Sequence, residues 1–195
     1  MMVGNNSGTN GTWKRIPQFS VGAELGVWKG DSSAKFVQRA AIVYLVDTWS
    51  VEPYKQDHLA ANFDKYLEKY SKIVGSRNPE DFQKYYDRIH QSVIDRFADN
   101  PRVIIKRMST NEFFDTFTDK LDWVYVDGDH SYEGCLNDLT RSVEILKPNG
   151  IIFGDDYGPA KPGVKKAVDK FIQRTGYKFN NFYEDQFEIL LDKRQ

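Results

Sequence analysis

Four side chains in the second half of the chain could together do chemistry: Asp127, His130, Asp155 and Asp156. Asp127 closes the apolar run Leu121 to Val126, and Asp155-Asp156 follow Ile151-Ile152-Phe153. Carboxylates gathered at one edge repel each other unless a cation or hydrogen-bond donors neutralise them. Oxygen ligands of this kind suit magnesium, manganese or calcium better than zinc. Asp127, Asp155 and Asp156 are therefore candidate metal ligands, with magnesium the expected ion. A cation there would hold an acceptor hydroxyl, lower its pKa and aim it. The alternative reading has Asp127 and Asp155 orienting loops and Asp156 capping a turn. His130 follows Asp127 by three residues, and its ordinary pKa near neutrality suits a base that takes a hydroxyl proton. His130 and Asp127 are the candidate catalytic pair.

A second constellation lies near the N-terminus, in Glu24-Leu25-Gly26-Val27-Trp28-Lys29-Gly30. Gly26 and Gly30 let the backbone turn tightly and approach a ligand, with a helix start behind them. The spacing departs from Gly-x-Gly-x-x-Gly, which counts against a nicotinamide or flavin. Asp47 ends the run Ile42 to Val46, where a carboxylate would meet the two hydroxyls of an adenosine ribose. A turn or cap role before Thr48 is the rival explanation.

These residues need elements to hold them. Ile42 to Val46, Val103 to Ile105, Leu121 to Val126 and Ile151 to Phe153 are short β-branched or aromatic runs, too short for helices. With Phe19 to Leu25 they make five strands separated by helical stretches, and Tyr177 to Phe182 and Phe187 to Leu191 close the chain as two more. A helix opens at Asp31-Ser32-Ser33. Phe82, Tyr86, Ile89, Val93 and Phe97 form an amphipathic stripe after Asn78-Pro79-Glu80-Asp81. Ser109 and Glu112 have capping-box spacing. Alternating strands and helices predict an α/β fold, a three-layer doubly wound sheet of about seven mostly parallel strands. Ligands in such sheets bind beyond the carboxyl ends of the strands, where Glu24, Asp47, Asp127, Asp155 and Asp156 fall. Residues 1–18 read as a flexible N-terminal arm that Trp13 and Ile16 could dock, and residues 19–195 as a single domain. A helical insertion at about 53–77 carries Leu59, Phe63, Tyr66 and Tyr70, a stripe expected to close over an acceptor pocket or to meet a second copy in a homodimer.

Val21-Gly22-Ala23-Glu24-Leu25-Gly26-Val27-Trp28-Lys29-Gly30 and Tyr44-Leu45-Val46-Asp47-Thr48-Trp49 resemble the first two motifs of class I S-adenosylmethionine-dependent methyltransferases. Asp122 to Gly134 and Leu146 to Tyr157 are similar to segments of their small-molecule branch, the macrolide-sugar and catechol-type O-methyltransferases. The resemblance implies a Rossmann-like sheet with the last strand antiparallel and S-adenosylmethionine in the glycine turn. Carried over by position, Glu24, Gly26 and Gly30 would approach the methionine end and Asp47 the ribose. Met108-Ser109 would lie near the adenine, and Asp127 would face both cofactor and cation. His130 stands where the catechol-type enzymes carry a lysine.

The 195 residues bound these readings: 40% are hydrophobic and 28% charged, which excludes a disordered or fibrous chain. A net charge of −1 offers no global field for a nucleic-acid backbone or an anionic membrane. Cys135 is the single cysteine, so neither an intrachain disulfide nor a cysteine zinc site is available. The start of the chain has no apolar core of a signal peptide, and a cytoplasmic setting is expected. The reading that results is O-methylation of a small-molecule hydroxyl assisted by a metal and a histidine base. Its alternatives are a metal-independent N-methyltransferase and a non-catalytic nucleotide-binding or interaction module on the same fold.

Overall fold

The computed structural model describes residues 9–182 and 185–192. Within them the chain forms two compact units, one made of residues up to Asp47 and from Asn100 onward, the other of Thr48–Asp99. The first unit holds a seven-stranded sheet. Its strands are β1 (Val21–Leu25), β2 (Ile42–Asp47), β3 (Val103–Arg107), β4 (Leu121–Val126), β5 (Leu146–Gly154), β6 (Lys178–Phe182) and β7 (Gln186–Leu190), in spatial order 3-2-1-4-5-7-6. β7 runs antiparallel to both β5 and β6; the other pairings are parallel. The strand order reverses beside β1, where β2 and β4 flank it, which puts the topological switch point between the ends of β1 and β4.

Both faces of this sheet are buried, which is why its central strands are apolar almost throughout. On one face Trp123 and Tyr125 of β4 pack against Phe36 of the short helix α2 (Ser33–Phe36), at ring distances of 5.6 and 4.9 Å. On the other, Val124 and Val126 join a core with α6 (Thr110–Thr116), α7 (Tyr132–Ile145) and α8 (Pro162–Thr175), through Phe113, Leu139 and Phe171 among others. The start of α6 follows its sequence signal, since Ser109 and Glu112 form the reciprocal capping box; Ser131 caps α7, and Pro162 opens α8. β5 is longer than its apolar run: it begins at Leu146, directly after α7, because Leu146 pairs with Leu121 across the sheet.

The N-terminal arm corrects the expectation from sequence. Residues 1–8 lie outside the described residues, but Thr9–Arg15 forms a helix, α1, docked on β7. Thr12 and Ile16 are fully buried, and Arg15 pairs with Glu188. Ile16 docks as its apolar character allowed, but the helix and its polar partners were not legible, since those partners lie more than 170 residues away.

The second unit is also larger than the insertion read from sequence. It comprises a single 3-10 turn (Glu52–Lys55), α3 (Asp57–Ala60), α4 (Phe63–Val74) and α5 (Pro79–Phe97). Phe63, Tyr66 and Tyr70 of α4 pack with Phe82 and Tyr86 of α5 around the buried Leu67 and Val51. Tyr54 and Tyr66 stack at 3.8 Å, and the hydroxyls of Tyr66 and Tyr86 meet. The aromatic stripe thus finds its cover inside its own unit, so its apolarity alone requires neither a lid nor a second subunit. Gly75 ends α4 in the left-handed conformation, φ 83°, as its position after the stripe led one to expect. No helix among the described residues is long and apolar enough to cross a membrane.

Candidate active site

The glycine turn leaves β1 at Leu25 and is built largely by backbone. Gly26 sits at φ +91°, and a Cβ there would lie 2.2 Å from the Asp127 carbonyl oxygen. Only glycine fits, because the ends of β1 and β4 close on each other at this point. The Asp127 N–H donates to the Leu25 carbonyl at 2.9 Å, and the Gly26 N–H to Val46 at 2.9 Å. Gly30, at φ +74°, closes the turn with its N–H on the Val27 carbonyl. Asp47 braces the same turn: one carboxylate oxygen accepts from the Val27 N–H at 3.0 Å and the Trp28 N–H at 2.9 Å. Sequence spacing placed Asp47 beside the turn, but these two backbone bonds were not legible from it.

Glu24 is buried beneath the turn and accepts from the Ser33 hydroxyl. Burial pushes its pKa well above the ordinary carboxylate range; the Ser33 hydrogen bond opposes this, and the charges of Asp127, Asp47 and Asp31 add to it. Burial thus favours the protonated, hydrogen-bonding form of Glu24 beneath the turn. Ser109 lies after β3 with its hydroxyl engaged by the Glu112 N–H at 3.1 Å and the Glu112 carboxylate at 2.9 Å. The Met108 N–H donates to the Asp47 carbonyl at 3.0 Å, tying this loop to the end of β2.

At the ends of β4 and β5 the structure gathers Asp127, His130 and Asp156, each offering a ligand atom within 4.8 Å of the others. His130 Nε2 lies 2.8 Å from Asp156 Oδ2 and 3.3 Å from Asp127 Oδ1. Lys161 Nζ approaches the same Asp156 oxygen at 3.2 Å. Asp156 is held at φ +65°, a conformation that aspartate tolerates better than most residues. Asp155 faces differently. Its Oδ1 accepts the Asp156 N–H at 2.8 Å and its Oδ2 the Tyr125 hydroxyl at 3.3 Å. The three expected metal ligands thus divide: Asp127 and Asp156 converge, with His130 in the place anticipated for Asp155.

The electrostatics follow from that packing. Burial raises the Asp127 carboxyl to about 6; the His130 hydrogen bond opposes it and the neighbouring Asp155 adds to it. Burial alone would lower His130, but its two carboxylate partners outweigh this and push it up to about 9. At neutral pH His130 is accordingly an imidazolium between two carboxylates, and it titrates together with them. Asp156 is lowered, chiefly by His130. Tyr125 and Lys161 were not singled out in the sequence, since a strand tyrosine reads as core and the lysine lies in a loop of ordinary composition. Cys135 is buried on α7 with its thiol pushed up to about 12 by burial, which leaves it a packing residue.

A parallel sheet with one reversed strand, a braced glycine turn at the switch point and an acidic edge define a ligand-binding α/β domain. Residues 23–157 match the family described as a methyltransferase domain, and the chain belongs to that family. The uncharacterized protein R132 of Acanthamoeba polyphaga mimivirus is 34% identical over 74 residues, a match spanning 35% of this chain and 34% of that protein. The matched part is thus about a third of this curated relative's length. Among solved structures, a candidate O-methyltransferase from Klebsiella pneumoniae superposes with a TM-score of 0.59 at 12% identity, covering 97% of this chain and 80% of that one. TomG, an O-methyltransferase of tomaymycin synthesis from Streptomyces achromogenes solved with S-adenosylmethionine, gives 0.58 at 12% identity, over 92% and 75%. At such identities the likeness establishes the fold.

Proposed function

We propose that the protein is an S-adenosylmethionine-dependent methyltransferase that methylates a hydroxyl of a small molecule, in the cytoplasm. The observation that carries this reading is the adjacency of two chemistries at one sheet edge. The Asp127 backbone abuts Gly26 of the cofactor turn, while its side chain belongs to the Asp127–His130–Asp156 cluster. S-adenosylmethionine would supply an electrophilic methyl on a sulfonium, transferred to an acceptor oxygen as the carbon–sulfur bond breaks and its electron pair returns to sulfur. The chain's own residues fit it. Asp47 would meet the ribose hydroxyls, and Glu24 and Gly26 would approach the methionine end of the cofactor, with the Asp47 charge favouring a cationic ligand.

The carboxylates also fit a hard divalent cation, since Asp127 and Asp156 converge on one point. Asp127 and Asp156 would hold it, with His130 and Asp155 adjoining. Such a cation would lower the pKa of the acceptor hydroxyl and relieve His130 of its anionic partners. His130 would then be free to take the hydroxyl proton on Nε2, the nitrogen now held between the carboxylates. Much of the remaining catalysis is positioning of the acceptor behind the methyl group.

One observation favours a second, metal-independent reading. His130 and Lys161 together already place two positive groups against Asp127 and Asp156. In that reading His130 orients the acceptor as a hydrogen-bond donor. Calorimetric titration with S-adenosylmethionine, with and without magnesium, tests the cofactor and the cation in one experiment. Heat from S-adenosylmethionine but none from magnesium would select the second reading; heat from neither would sink both.

A further inference from the structure

Gln186, the first residue of β7, is fully buried. Its Oε1 accepts twice from one residue of the N-terminal helix, from the Thr12 N–H at 3.0 Å and the Thr12 hydroxyl at 2.9 Å. A backbone N–H can only donate, so the oxygen side of the amide must face Thr12 and Nε2 must point the opposite way. Among the described residues, Gln186 Nε2 is the buried side-chain atom without a partner at hydrogen-bond distance. An orphan of this kind asks for an explanation. Gly154 of β5 pairs with Phe187 of β7, which brings Gln186 and Asp155 side by side where the two strands end. Burial raises the Asp155 carboxyl, and the Tyr125 hydroxyl and the Gln186 amide oppose that by favouring its charged form.

The helix that imposes this orientation is fastened by several contacts. Arg15 Nε donates to Glu188 Oε2 at 2.6 Å, Asn180 donates to the other Glu188 oxygen at 2.8 Å, and the guanidinium stands 4.4 Å from the Phe182 ring centre. None of Thr12, Arg15, Gln186 and Glu188 lies in the segment that matches the family. Asp155, in turn, governs its neighbour, because its carboxylate accepts the Asp156 N–H. The order of contacts runs from Thr12 to Gln186 to Asp155 and so to the loop that presents Asp156 to His130.

We propose that Gln186 is a positioning residue for Asp155, set by Thr12 of the docked N-terminal helix, so that α1 is a working part of the acceptor end of the site. This rests on the reading of that end as a cation-binding edge. In that role Gln186 would hold Asp155, together with the Tyr125 hydroxyl, in the position from which it accepts the Asp156 N–H.

The test uses the full chain and Mn2+ alone, with binding read by electron paramagnetic resonance. Gln186→Met keeps size and removes the donor; Thr12→Val keeps the backbone N–H and removes the hydroxyl. Gln186→Met should weaken Mn2+ binding about tenfold, acting through Asp155 on the loop that presents Asp156, and Thr12→Val should weaken it less in the same direction. Affinity for S-adenosylmethionine should stay within about twofold, since Asp47 and the glycine turn are untouched. Unchanged Mn2+ affinity in Gln186→Met, whatever its melting temperature, overturns the proposal; if that variant does not fold, Thr12→Val decides by the same criterion. Should the wild-type protein take up no Mn2+, the cation reading fails on its own. Crystal structures of wild type and Gln186→Met then decide: Asp155 turned away from Tyr125 in the variant supports the positioning role, and an unmoved Asp155 overturns it.

Discussion

The two ends of the site are built from different materials. At the glycine turn, the proposed cofactor end, a carboxylate braces backbone: Asp47 takes two N–H groups of the turn, and Gly26 lets β1 and β4 touch. At the edge of β4 and β5, the proposed acceptor end, side chains hold side chains, with His130 between Asp127 and Asp156, Lys161 on Asp156, and Tyr125 on Asp155. At the turn the donors are backbone groups fixed in place by the fold, although their acceptor is a carboxylate. Coupled titratable groups change partners when one proton or one cation is exchanged. In the proposed reading the turn is the more rigid seat, for the cofactor, and the edge at β4 and β5 is the part that conditions can retune.

The largest effect expected from this contrast is on turnover. His130→Ala should cost roughly a hundred- to ten-thousand-fold in rate if His130 is the base, with the loss shrinking for acceptors whose hydroxyls are more acidic. Steady-state kinetics on an acceptor series checks this. Cofactor affinity, measured alongside, should hardly move, and a parallel collapse of both would erase the distinction between the two ends.

Asp47→Ala attacks the rigid seat. It should weaken S-adenosylmethionine by at least about 1–3 kcal/mol, the range for a lost charged hydrogen-bond partner. Because the Val27 and Trp28 N–H groups lose their acceptor as well, the melting temperature of the free protein should fall too. Calorimetry with S-adenosylmethionine and a thermal melt read the two effects separately.

The retunable end extends inward to Asp138, buried on α7 against the Thr110 hydroxyl at 2.7 Å. Burial raises its carboxyl from 3.8 to about 7. Below pH 4 both folded and unfolded chains keep this proton; between about 4 and 7 the unfolded chain releases it first. The stability it confers is therefore fully present below the unfolded pKa and lost as pH rises to the folded one. Asp138→Asn never ionises, so its melting temperature minus that of wild type should climb from pH 4 to 7, by about 2–4 °C for each kcal/mol involved. A flat difference would show that the carboxyl is not held protonated.

The smallest effect concerns Ser109, which lies between the two descriptions. Ser109→Ala should cost about 1 kcal/mol of stability through loss of the capping box. If that is its whole role, S-adenosylmethionine affinity will be unchanged. A drop in affinity larger than the drop in stability would instead give it a place in the cofactor seat.

Local signals in the sequence determined the strands, the helix cap at Ser109, and the acids at the strand ends. Each depends on neighbours a few residues away: an apolar run, a hydroxyl followed by a glutamate, a glycine after a stripe. The seven-stranded doubly wound topology followed as well, because alternating strands and helices with right-handed crossovers leave few arrangements. What sequence could not supply was pairing over long separations. Thr12 meets Gln186 and Arg15 meets Glu188 across more than 170 residues, turning an arm of ordinary polar composition into a docked helix. Asp127, His130, Asp155 and Asp156 were all visible, but which of them converge depends on the positive φ of Asp156 and on the pairing of β4, β5 and β7. Tertiary structure likewise decided the protonation of His130, since its ordinary pKa near neutrality gives way to the field of two carboxylates brought to it by separate strands.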